Sequence, residues 1–180
     1  MEAGREAAGA QSKAAEAIGS RADAALALSA IEAATRRGAG FEADYRALRK
    51  AAPDSEAVRR LAPFITGVPA LTALQAEFPA VRAAVIDAAT PEASEKLSWV
   101  DRFFGDAVSV RPAGGSHPET TKALDRAAAA LSSGDLPGAV QALARLDAAA
   151  ARGAEGWTQR ANRRITLEAA LEDVRLSLAE

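Results

Sequence analysis

The chain has 180 residues, a formal net charge of −2, no cysteine, and alanine at more than one position in four. That length suffices for one helical domain, with an extended helix besides, and buries roughly 70% of the unfolded surface without staples. The missing cysteine excludes disulfides, thiolate metal sites and cysteine nucleophiles, and the acidic balance disfavours a general nucleic-acid binder, which needs a cationic surplus to displace counterions.

Residues 2–37 read as one long helix, with Ile18, Ala22, Ala25, Ile31 and Ala34 near a single stripe at three-to-four spacing and Gly38-Ala39-Gly40 as its stop. Gly4, Gly9 and Gly19 each weaken that helix by about 1 kcal/mol relative to Ala. The expectation is a frayed helix, or the end of a coiled coil, over residues 1–21 and one packed domain over residues 22–180.

Short helices follow. Phe41, Tyr45 and Leu48 share a face, and Pro53-Asp54-Ser55 breaks that helix and caps another holding Val58, Leu61 and Phe64. Pro69 suits a helix start ahead of Leu71, Leu74 and Phe78, while Pro79 predicts a kink or restart before Val81, Val85 and Ile86. Thr90-Pro91 repeats the cap-then-proline signal. Residues 112–116 read as a loop, and Ser116-His117-Pro118-Glu119 fits a capping box. The last three helices are expected over residues 118–132, 136–152 and 154–178, with Gly134 as a left-handed stop and Asp135 as the cap of the next helix. Only residues 108–110 look extended, too few for a sheet. The fold class is therefore all-α, a bundle of short helices and hairpins with long amino- and carboxy-terminal helices. Because alanine buries little area, the stabilising burial must come from scattered Leu, Val, Ile and aromatic side chains, at about 1.5–3 kcal/mol each.

No apolar run approaches the roughly 20 residues of a membrane-spanning helix. Catalytic signatures are equally scarce. His117 is the single histidine and sits in a capping box, and Glu168, Glu172 and Asp173 fall at helical spacing from Arg164 and Arg175, which is the pattern of an ion-paired face. There is no nucleophile elbow, no phosphate-binding loop and no metal box. No enzyme activity, cofactor, metal or small-molecule substrate is expected.

Residues 97–108 carry more information. On a helical wheel Leu97, Trp99, Val100, Phe103, Phe104, Ala107 and Val108 occupy one half, and Ser98, Asp101, Arg102, Gly105 and Asp106 the other. Three of the chain's eight aromatic residues lie here, flanked by Lys96, Arg102 and Arg111. Such a helix can lie in a bilayer interface with its basic residues near anionic lipid. The same face would equally serve as core, and Asp101 and Asp106 argue against anionic lipid. Trp157, near Arg160, Arg163 and Arg164, has a similar double reading: a packing anchor against the preceding hairpin, or part of a partner surface. The length of the terminal helices predicts surplus apolar surface for a homodimer, with Leu28, Ile31, Leu171, Val174 and Leu178 as its contributors.

Several stretches, in order, resemble alphaproteobacterial members of the mitofilin family: Ala25-Leu26-Ala27-Leu28, Arg36-Arg37-Gly38 with Phe41, Leu48 through Pro53, Gly67-Val68-Pro69-Ala70-Leu71, and Phe78-Pro79-Ala80. Trp99 with Phe103, Ser109-Val110-Arg111, Gly134-Asp135-Leu136, Trp157 and Arg164 continue the series. The resemblance covers residues 22–180 and is to the family's carboxy-terminal domain. It implies a membrane-shaping scaffold, a fragment lacking the family's membrane anchor, on the periplasmic face of a bacterial inner membrane, which is equivalent to the mitochondrial intermembrane space. Anionic lipid, a second copy, and an outer-membrane or small helical protein are the partners it implies. The competing resemblance is to a tetratricopeptide-like adaptor that binds peptides, carried by residues 127–146, although one hairpin falls short of the three repeats a solenoid needs.

Overall fold

The structure is a computed structural model that describes residues 2–89 and 118–179, with side chains from residue 9 onward. Among the described residues there are seven α-helices, one 3-10 turn and no strand. They are α1 (Glu2–Arg37), α2 (Glu42–Ala51), α3 (Glu56–Arg59), the 3-10 turn Ala62–Phe64, α4 (Leu71–Ala89), α5 (Pro118–Ser132), α6 (Leu136–Leu143) and α7 (Ala148–Ala179). The all-α expectation, with long first and last helices, is what is found. The chain divides into two compact units, Met1–Leu71 with Arg163–Glu180, and Thr72–Asn162.

In the first unit, the carboxy-terminal half of α1, α2, α3, the 3-10 turn and the end of α7 enclose a single core. Ala24, Ala27, Leu28, Ile31 and Ala34 of α1 meet Phe41, Leu48, Val58, Leu61, Phe64 and Val68, and α7 adds Leu167, Ala170, Leu171 and Val174. Of the expected stripe Ile31 and Ala34 are buried, whereas Ile18 is 69% exposed and Ala22 and Ala25 face solvent with it. Apolar pattern alone could not choose between two alanine-rich faces; Leu28 and Ile31, fixed by their bulk, decide which one turns inward. Helix α1 runs unbroken from Glu2, and every described side chain from residue 9 to residue 19 is exposed.

Local chemistry explains the punctuation. Helix α1 ends in a paired cap in which the Gly38 N–H donates to the Thr35 carbonyl and the Ala39 N–H to the Ala34 carbonyl, with Gly38 at φ +73°. Ser55 caps α3 by accepting the Val58 N–H at 3.3 Å. Phe41, Leu48, Val58, Leu61 and Phe64, expected as core, are all buried.

The second unit joins α4, α5, α6 and the first half of α7. Gly134 and Asp135 act as expected: Gly134 takes φ 81° to close α5, and the Asp135 carboxylate accepts the Gly138 N–H at 2.8 Å to open α6. Two details differ from expectation here. Of the kink or restart expected at Pro79, the restart does not occur, because helix α4 continues through that residue. Helix α6 stops at Leu143, and α7 starts at Ala148 because the Asp147 carboxylate accepts the N–H groups of Ala149 and Ala150, each at 2.9 Å. Gly153 therefore lies inside a helix instead of between two. It is needed for closeness: a Cβ there would come within 2.5 Å of the Ala84 carbonyl oxygen of α4.

Candidate functional site

Arg164 is the most constrained polar side chain described. Helix α7 presents Trp157, Ala161, Arg164, Leu167, Leu171 and Val174 on its buried positions, so a guanidinium occupies a place in an apolar stripe. It is 5% exposed. Burying such a charge costs several kcal/mol unless it is paired and its donors are used, and Arg164 does both. Its Nη1 donates to the carbonyl of Thr35 at 2.7 Å and to that of Pro69 at 3.3 Å, while its Nε donates to Glu168 Oε1 at 2.6 Å. Thr35 takes part through its backbone alone, since its buried hydroxyl has no hydrogen-bond partner among the described residues.

The two carbonyls belong to segments that pass each other backbone to backbone. The Phe41 N–H donates to the Ile65 carbonyl at 2.8 Å. Gly67, at φ +94°, sits so close to the other strand of chain that a Cβ would fall 2.9 Å from the Ala39 carbonyl carbon. Only glycine meets both demands, a left-handed conformation and no side chain. Arg164 clamps this crossing from one side. Arg163 holds the neighbouring turn, donating to the Pro63 carbonyl at 2.9 Å with its guanidinium 5.8 Å from the centre of the Phe64 ring.

A cavity of about 300 Å³ opens beside the clasp. Its walls include Arg36, Arg164 and Arg175 together with Glu32, Glu168 and Glu172, so its formal charges cancel. Arg175 donates to Glu32 at 2.5 Å and also pairs with Glu172. The Glu32 carboxylate, by accepting that bond, raises the Arg175 pKa above its ordinary value. These are stabilising contacts between α1 and α7. The cavity has neither a surplus of positive charge for an anion nor an unpaired base beside a nucleophile.

The expected site residues separate into three groups. Leu28, Ile31, Leu171 and Val174 come together, but as the core of the first unit, with Leu178 packed against them. This corrects their assignment as a self-association surface: at 0–7% exposure they have no area left to offer a partner. Trp157 and Arg160 lie in the second unit. Trp157 is buried, its Nε1 donating to the Leu74 carbonyl at 3.0 Å and its ring meeting Phe78 edge-on at 5.6 Å. It is an anchor, and its support is α4. Arg160 is exposed and pairs with Glu77. Lys96, Leu97, Trp99, Val100, Arg102, Phe103, Phe104, Val108 and Arg111, proposed as membrane contacts, lie outside the described residues, as do His117, Thr90-Pro91 and the expected loop at 112–116.

Residue-by-residue reading missed the roles of Thr35, Gly67 and Pro69. The available signal was Arg164 itself, three residues after Ala161 and seven after Trp157 on the apolar stripe, with Glu168 one turn later. Comparison with protein-family models, curated proteins and solved structures finds no match for this chain.

Proposed function

We propose that this chain is a non-catalytic scaffold domain of the mitofilin type. In this reading it organises membrane invaginations from the periplasmic face of a bacterial inner membrane, through anionic lipid, self-association and a further protein partner. The supporting observation is the convergence at the Arg164 clasp. Arg36-Arg37-Gly38 with Phe41, the run from Gly67 to Leu71, and Arg164 carry the resemblance separately along the sequence, and in the fold their backbones and side chains meet at one crossing.

Self-association needs a surface other than the one first assigned, and α1 has one. Gln11, Ala15, Ile18, Ala22, Ala25 and Ser29 follow alternating four- and three-residue steps, all exposed and all uncharged. At 100° per residue they lie opposite the buried Ala27, Ile31 and Ala34, extending about 27 Å along the helix at 1.5 Å per residue. Leu26, 70% exposed, flanks them. In this proposal the inner stripe of α1 builds the domain and the outer stripe pairs with a second copy.

The lipid contact is assigned to residues 97–108 on their sequence pattern. It is tested by co-sedimenting the full chain with vesicles of zwitterionic lipid alone or mixed with anionic lipid. The expected result is binding that rises with anionic content and falls when Phe103 and Phe104 are both changed to Asp with the helical spectrum intact. Equal binding by variant and parent moves the contact elsewhere, and no binding by the parent overturns the lipid part of the reading.

A further inference from the structure

We draw no further inference here: the strongest candidate, the groove of about 430 Å³ between α6 and the first half of α7, lined by Val140, Leu143 and Ala151, is an unpartnered, largely apolar face, and nothing in the structure shows what covers it.

Discussion

Arg164 Nη1 lies 2.7 Å from the carbonyl oxygen of Thr35, a residue 129 positions earlier in the chain. That contact makes one guanidinium responsible for the end of α1, the segment at Pro69 and the middle of α7. Hydrogen bonds from a charged donor contribute about 1.5–3 kcal/mol each. Arg164→Met fills the same volume but leaves the Pro69 carbonyl without its donor and the Thr35 carbonyl with only the Gly38 N–H. It is expected to lower stability by about 2–4 kcal/mol. Arg164→Lys should recover only part, because a single ammonium does not reproduce the guanidinium fork. Glu168→Gln should cost about 1 kcal/mol or less, since that carboxylate is half exposed. Urea unfolding measures all three, and a loss below about 0.5 kcal/mol for Arg164→Met would remove the clasp from the account.

Gly67 and Gly9 make a matched pair. Gly67→Ala places a Cβ against the Ala39 backbone and holds a non-glycine residue at φ +94°. The expected cost is about 2–4 kcal/mol, combining the left-handed conformation with the overpacking. At Gly9 a Cβ would meet nothing within 4 Å, so Gly9→Ala should raise helix content, with a gain of up to about 1 kcal/mol. Thermal unfolding followed by circular dichroism should show a lower midpoint for Gly67→Ala and none for Gly9→Ala. Equal effects would mean that the crossing is looser than it looks.

A similar contrast holds within α7. Gly153→Ala should destabilise by about 1–3 kcal/mol despite alanine's better helix propensity, because the Ala84 backbone has nowhere to go. At Gly156 the nearest side-chain atom to a Cβ is the flexible tip of Arg160, at 3.7 Å, and Gly156→Ala should be neutral or stabilising. The denaturant midpoint should fall for Gly153→Ala and hold or rise for Gly156→Ala. A stabilised Gly153→Ala would show that α4 and α7 can separate without cost.

Elements were legible where chemistry was local. Gly134 and Asp135 could be read directly, because a left-handed cap and a carboxylate N-cap depend on a few consecutive residues, and so could the face shared by Phe41 and Leu48. Asp147 was equally local but was overshadowed by Gly153, which reads as a helix stop until the Ala84 backbone is seen beside it. The inner face of α1 was hidden in part for another reason: alanine at 14 of its 36 positions supports more than one stripe, and tertiary packing against Leu171 and Val174 selects among them. Arg164 was visible as a residue near Trp157, but its two carbonyl acceptors lie more than ninety positions away, and no spacing within α7 encodes them.

Trp157 offers an optical test of the anchor. Trp157→Phe keeps an aromatic ring near Phe78 but removes the Nε1 donor to the Leu74 carbonyl. The expected loss is about 1–2 kcal/mol, made up of one buried hydrogen bond and a little packing. In a Trp99→Phe background, emission from Trp157 should be blue-shifted in the folded chain and move to longer wavelength on unfolding. Solvent-like emission before unfolding would contradict its burial.

Self-association can be separated from folding because α1 has two faces. Leu171→Asp places a carboxylate at a position 5% exposed, where an unpaired charge is strongly disfavoured, so this variant should lose helical signal and lower the unfolding midpoint rather than yield a folded monomer. Ile18→Asp acts on a side chain already 69% exposed and should leave the fold of the first unit untouched. If the outer stripe pairs with a second copy, two-fold symmetry places each introduced carboxylate in an apolar seam shared by both helices. The parent chain should then sediment as a dimer in the micromolar range, and Ile18→Asp should sediment as a monomer with an unchanged thermal midpoint in dilute solution. Leu26→Asp, beside the stripe, should weaken the dimer less. A parent that fits a single monomer mass throughout that range would reject self-association, and a dimer that survives both changes on α1 would place its interface on another part of the chain.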